Sequence, residues 1–170
     1  MRASVGVVLA AALAVACLVG AGSSASIPTV GCSSIIDPDF DSARDWRATR
    51  VVLGVVDVPS AFISQAATES GVARWPYWMK SGIVVRANSP VVHVSVPARW
   101  KRRAVIGWGG VQGVSSLRIA SCPASSTLPG GWNPYAGGFY LRSRTACVPL
   151  TFRVGERGAT VRFGIGKRCG

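Results

Sequence analysis

The stretch Leu150-Thr-Phe-Arg-Val-Gly-Glu-Arg-Gly-Ala-Thr-Val-Arg-Phe163 decides the fold. On either side of Gly155-Glu156-Arg157-Gly158, apolar and polar residues alternate with a period of two, the repeat of a strand whose two faces see different surroundings. With those four residues as the loop, Leu150, Phe152 and Val154 stand opposite Phe163, Val161 and Ala159 on one side. Thr151 and Arg153 then stand opposite Arg162 and Thr160 on the other. One face is core and the other wet, as in an antiparallel sheet covered on one side.

Outward from this pair the same grammar repeats. Ile83 to Ala87 and Val91 to Val96, joined by Asn88-Ser89-Pro90, read as a second hairpin; Val92, Val94 and Val96 alternate with Val91, His93 and Ser95, which turns His93 away from the valine face. Further strands are predicted at Arg50 to Val58, Ala104 to Trp108, Ser116 to Cys122 and Phe139 to Arg142, about eight in all. Glycine and proline punctuate the chain at short intervals, and the strand–helix alternation of a parallel sheet is missing. The pattern predicts an all-β fold, an antiparallel β-sandwich of immunoglobulin-like or jelly-roll-like type. One short helix is allowed between Ser60 and Ser70, where Phe62, Ile63, Ala66 and Ala67 recur at helical spacing, with Ser60 as cap and Gly71 as stop.

The N-terminus reads as an address. Met1-Arg2, an apolar run from Val5 to Val19 and the small residues Ala21 to Ser26 have the order of a secretory signal peptide, with cleavage after Ala25. The run is shorter than a membrane-spanning helix and no second candidate follows, so no transmembrane segment is expected after signal removal. Lipidation at Cys17 is disfavoured, because Leu18 and Val19 follow it within the apolar run. Residues 26–170 then form a single secreted, extracytoplasmic domain, long enough for one core and not two.

Removing residues 1–25 leaves Cys32, Cys122, Cys147 and Cys169, an even number for an oxidising compartment. Disulfides are favoured over zinc, since no two cysteines stand in C-x-x-C spacing and His93 is the only histidine. Three connectivities are open; the favoured one joins Cys122 to Cys147 around a glycine-rich excursion and Cys32 to Cys169 across the domain ends.

Catalytic signatures are weak. Asp37, Asp39 and Asp41 repeat the start of a calcium loop, but Ser42 stands where the turn glycine belongs and Ala48 where the bidentate glutamate belongs. No G-x-S-x-G elbow accompanies His93, and neither Gly107-Trp108-Gly109-Gly110 nor Gly166-Lys167-Arg168 completes a nucleotide loop. No catalytic residue, metal site or cofactor is assigned. Glu69 with Glu156 or Asp57 provides the carboxylates that a secreted hydrolase of wall glycan or peptide would need, the alternative reading. A protease inhibitor presenting Pro129 to Tyr135 is a third.

The strongest surface signal is charge: 19 Lys and Arg against 7 Asp and Glu, a net +12, with arginine far outnumbering lysine. Cations cluster at Arg99, Lys101, Arg102 and Arg103, again at Arg142 and Arg144, and at Lys167 and Arg168. For an exported chain this field points to an anionic envelope polymer, lipid head groups or another exported protein as partner, and not to nucleic acid. Two aromatic clusters, Trp75-Pro76-Tyr77-Trp78 and Trp132-Asn133-Pro134-Tyr135, read as loop segments because of their prolines. Their rings either cover the ends of the sandwich or form a stacking platform for a ligand, in which Trp75, Tyr77, Trp78, Trp132 and Tyr135 would join Arg99, Lys101, Arg102 and Arg103.

With Trp75-Pro76-Tyr77-Trp78, Val94-Ser95-Val96-Pro97, Trp108-Gly109, Cys122-Pro123, Tyr135-Ala136-Gly137-Gly138-Phe139, Cys147-Val148-Pro149-Leu150 and Gly164-Ile165-Gly166-Lys167-Arg168-Cys169, the chain resembles small secreted β-rich proteins of high-GC actinobacteria. The resemblance spans nearly all of the segment after residue 25 and carries over no activity and no site residue.

Overall fold

The structure, a computed structural model, describes residues 26–37, 50–58, 62–125 and 130–170. Among them the chain forms β1 (Thr29–Val30), β2 (Arg50–Val52), β3 (Val56–Val58), β4 (Phe62–Ile63), β5 (Thr68–Val72), β6 (Trp75–Lys80) and β7 (Ile83–Arg86). There follow β8 (Val92–Ser95), β9 (Ala104–Trp108), β10 (Ser116–Ile119), β11 (Trp132–Tyr135), β12 (Gly137–Leu141), β13 (Ala146–Val154) and β14 (Arg157–Ile165). The helical elements among the described residues are single 3-10 turns at Cys32–Ser34 and Ala98–Trp100. The fold is all-β.

Three sheets result. A six-stranded sheet has the order β1-β10-β8-β13-β14-β4, a valine-rich sheet β11-β7-β3-β2, and an aromatic sheet β5-β6-β12-β9. Every pairing is antiparallel except those of the two-residue edge strands β1 and β4. The inner faces share one core. Phe139 of the aromatic sheet meets Phe163 of the six-stranded sheet at 5.2 Å between ring centroids, and Val56, Val58, Val85 and Tyr135 of the valine-rich sheet belong to the same buried cluster. This is sandwich packing, held together by burial of alternate side chains.

The β13–β14 hairpin carries the predicted faces in a register shifted by two residues. Leu150 pairs with Val161 and Phe152 with Ala159, so the strands run on to Val154 and Arg157 and the loop is Gly155-Glu156 alone. Gly155 takes φ 57°, the positive value that the first position of a two-residue type II′ turn requires. A shift of two leaves each side chain on its predicted face, and so the alternation could not detect it.

Several boundaries differ for reasons that lie outside local pattern. Arg50 to Val58 is two strands, because Leu53 and Gly54 both adopt positive φ and Val55 N–H bonds back to Val52 O at 3.1 Å. Ile83–Arg86 and Val92–Ser95 are strands but not a hairpin: β7 pairs with β11 and β3, while β8 pairs with β10 and β13 in another sheet. The chain arches between layers at Asn88, whose N–H donates to Cys122 O at 2.7 Å. The helix allowed at Ser60 to Ser70 is replaced over the described residues by β4 and β5. There the Ala67 N–H is taken by Arg144 O at 2.8 Å and Ile63 O by the Gly166 N–H at 2.9 Å, long-range bonds that displace the helical ladder.

Both proline-bearing aromatic clusters are strands rather than loops. Pro76 lies at a β-bulge, where Ser70 and Gly71 oppose it between the Glu69–Tyr77 and Val72–Trp75 pairs. The Ser70 hydroxyl bridges this gap, accepting from Val72 N–H at 2.9 Å and donating to Trp75 O. Pro134 is tolerated because β11 is an edge strand.

The disulfides are Cys32–Cys122 and Cys147–Cys169, so both favoured pairings are corrected. The cause is sheet pairing. Val30 of β1 lies parallel to Ile119 of β10, and continuing both strands brings Cys32 and Cys122 to a Cα separation of 5.5 Å. Cys147 pairs with Gly164, and the chain then turns at Gly166 and folds back, carrying Cys169 over β13. A Cβ at Gly164 would stand 2.3 Å from Lys167 O, so the return path needs glycine there.

Candidate functional site

The wet face of the β13–β14 hairpin extends across the six-stranded sheet as two ordered rows. Strand pairing sets Ser116 beside Ser95, Ser95 beside Thr151 and Thr151 beside Thr160, a row of four hydroxyls on four adjacent strands. Two residues further along, Thr29, Arg118, His93, Arg153 and Gly158 form a second row across five strands. The rows lie on one face because residues two apart on a strand point the same way. Their intervening neighbours Val94, Leu117 and Phe152 are fully buried on the other face.

Thr151 Oγ1 and Thr160 Oγ1 are 3.1 Å apart, within a hydrogen bond. A Cβ built at Gly158 would lie 3.8 Å from Arg153 Cγ and 3.9 Å from Nε, so Arg153 extends over the glycine and along the face. No carboxylate stands among the described outward residues of these rows. Arg118 and Arg153 flank His93 without an acidic partner between them.

The predicted basic cluster adjoins this face. Arg99 sits in the 3-10 turn Ala98–Trp100 that follows β8, and Lys101, Arg102 and Arg103 occupy the exposed turn before β9. A cleft of about 350 Å³ has His93, Ser95, Lys101, Ser116 and Arg153 in its wall. A second, of about 290 Å³, is lined by Arg99, Trp100, Arg162 and Gly170. Thus Lys101 is brought to the rows and Arg99 to the neighbouring Pro149–Arg162 pair, whereas Arg103 lies with its guanidinium 5.5 Å from the centre of the Trp100 ring.

The predicted aromatic platform does not assemble as one surface. Tyr135 is fully buried, its hydroxyl 3.7 Å from Cys122 Sγ, and burial pushes its pKa above the usual tyrosine value. Trp75 is only 5% exposed, with Arg74 and Arg142 over its ring at 5.9 and 5.2 Å. Tyr77 is half-buried under Arg144 at 5.3 Å, and Trp132 under Arg86 at 4.8 Å. Trp78 pairs directly with Tyr140 across β6 and β12, ring centroids 4.5 Å apart, on the outer face of the aromatic sheet. Four of these five rings are therefore inside the core, at its margin or capped by guanidinium.

Asn133 acts from inside. It is 1% exposed; its Oδ1 accepts from Ser125 N–H at 3.0 Å and its Nδ2 donates to Pro123 O at 2.9 Å, pinning the segment that follows Cys122. The carboxylates considered for hydrolysis are dispersed over the elements: Asp57 on β3, Glu69 on β5 in an ion pair with Arg144 at 3.1 Å, and Glu156 at the β13–β14 turn. Asp37 is exposed, while Asp39, Asp41 and Asp45 lie outside the described residues, as do the predicted signal peptide and Pro129.

Arg118, His93, Arg153 and the four row hydroxyls were not named from sequence as ligand-facing. Their alternation was visible. What was missing was the placement of β8 between β10 and β13, which converts scattered polar residues into rows. No family model matches this chain, and no curated protein or solved structure matches it either.

Proposed function

We propose that the chain is an exported, non-catalytic β-sandwich that holds anionic polymers of the cell envelope on the outer face of its six-stranded sheet. The observation that carries this reading is the acid-free pair of rows, in which Arg118, His93 and Arg153 stand beside Ser116, Ser95, Thr151 and Thr160. Neighbouring strands lie about 4.8 Å apart, so the cationic row extends the attraction over some 10 Å in a line, a shape suited to an extended polymer rather than a point ligand. The net charge of +12 supplies long-range steering toward such a partner.

Export rests on the order of residues 1–25 and is supported by the two disulfides, which persist in oxidising compartments. Among the described residues no helix is long and apolar enough to cross a membrane.

Retention on immobilised dextran sulfate, read as the salt concentration for elution, tests the proposal. The disulfide-bonded chain from Ser26 elutes late, and Arg118→Ala with Arg153→Ala elutes markedly earlier, while Arg86→Ala, whose guanidinium lies on Trp132, elutes close to the parent. Equal elution of all three defeats the proposed face.

A further inference from the structure

The hydroxyl row narrows the class of polymer. We infer that the six-stranded face recognises an anionic polysaccharide, reading carboxylate or sulfate-ester groups with Arg118 and Arg153 and sugar hydroxyls with Ser95, Ser116 and Thr151. This rests on the reading of that face as a polyanion site.

The argument begins with what each row can exchange. Guanidinium donates and never accepts, and its fork pairs with carboxylate and with phosphate, so arginine alone does not single out a polysaccharide. A hydroxyl both donates and accepts, and so completes bonds with another hydroxyl that a bare phosphate chain, offering acceptors only, cannot reciprocate. The two kinds of group are sorted into separate lines: hydroxyls in register on β10, β8, β13 and β14, and Arg118, His93 and Arg153 in register on β10, β8 and β13. Two residues along a strand separate the lines by about 7 Å, so a chain lying across the strands meets both at once.

Nearby groups complete a site rather than a plain surface. The cleft of about 350 Å³ is bounded by Lys101 beyond the hydroxyls and Arg153 on the cationic side, with Ser95, Ser116 and His93 between. Thr151 and Thr160 hydrogen bond to one another, which fixes their rotors and leaves further donor and acceptor capacity for a ligand.

Arginines elsewhere are committed differently. Arg74, Arg86, Arg142 and Arg144 lie over Trp or Tyr rings, and Arg144 also holds Glu69. Those of the rows have no such ring within the described contacts, and Arg153 is laid along glycine instead of aromatic surface.

Binding of three probes at matched salt separates the outcomes: polygalacturonate, which carries both carboxylates and hydroxyls; inorganic polyphosphate, which carries no hydroxyls along its chain; and double-stranded DNA. Ser95→Ala with Thr151→Val is expected to weaken polygalacturonate by about fivefold or more, the loss of one or two hydrogen bonds, and polyphosphate by clearly less, because a phosphate chain engages only the donor half of each hydroxyl. Thr151→Ser, which keeps the hydroxyl, is expected to keep affinity, and thermal unfolding of each variant controls for folding.

Equal weakening of both probes, or of neither, overturns the polysaccharide assignment while leaving a polyanion face in place. DNA bound more tightly than polygalacturonate also overturns it. Failure of Arg118→Ala with Arg153→Ala to weaken any probe removes the underlying face as well, and so separates the two readings.

Discussion

The outer face of the six-stranded sheet and the rim of the aromatic sheet carry the same residue type in different surroundings. On the first, Arg118 and Arg153 project from strand positions flanking His93, with hydroxyls alongside. On the second, Arg142 lies over Trp75 and Arg144 over Tyr77, so each guanidinium stacks on a ring at the core margin while the arginine itself stays exposed. An arginine count therefore does not separate guanidiniums stacked on rings from those on the sheet face. The two sets differ in what lies against them: Arg142 and Arg144 stand over the Trp75 and Tyr77 rings, whereas Arg118 stands beside Thr29 and His93 and Arg153 beside His93 and Gly158.

The sharpest way to break this contrast is to remove the ring. Trp75→Ala is expected to destabilise the protein by about 3 to 5 kcal/mol, the usual cost of deleting a buried aromatic, whereas Ser95→Ala is expected within about 0.5 kcal/mol of the parent. Denaturant unfolding compares them; similar losses would mean that the hydroxyl row is structural.

Cys147 tests the contrast within the six-stranded sheet, because its disulfide to Cys169 ties the returning tail onto the same face at the end away from the cationic row. Cys147→Ser with Cys169→Ser is expected to cost about 3 kcal/mol by the chain-entropy relation, and Cys32→Ser with Cys122→Ser, which opens a far longer loop, somewhat more. A non-reducing peptide map should yield these two links; a Cys122–Cys147 link would undo the placement of β1 beside β10.

A smaller effect sharpens the arginine comparison directly. Arg142→Ala is expected to lower stability by about 0.5 to 1 kcal/mol through loss of its contact with Trp75, while retention on dextran sulfate changes little. Arg118→Ala should do the reverse. If the two variants behave alike in both assays, ring-capped and presented arginines are not distinct classes.

The smallest expected effect is alkaline. Burial raises the pKa of Tyr135 and of Tyr140, so the folded state holds these protons more tightly than the unfolded chain does. Their stabilising contribution is complete below the unfolded value of about 10 and is lost as pH rises through the higher folded values. Unfolding followed from pH 8 to 11 should show stability declining above about pH 10, with a shallower decline for Tyr135→Phe. An unchanged slope in that variant would place the ring in water.

Much of the sandwich is legible in the sequence. Val92 and Val94 against His93 and Ser95, and Leu150 to Val154 against Ala159 to Phe163, assign inner and outer faces correctly, since alternation is written into each strand separately. Ala104–Trp108 was delimited to the residue, a short apolar run between an Arg-rich turn and paired glycines. The basic cluster Arg99 to Arg103 was visible too, because consecutive cations need no partner to be noticed.

The sequence by itself determined an all-β chain, its inward residues, its basic surface and the presence of four cysteines that can pair in three ways. Only the tertiary structure decided that β8 sits between β10 and β13, that Cys32 meets Cys122, and that Tyr135 is core while Trp78 faces out. The physical reason is that alternation specifies which way a side chain points relative to its own strand. Which strand lies next to it is fixed by long-range hydrogen bonding and by the packing of whole faces, terms that no single segment contains.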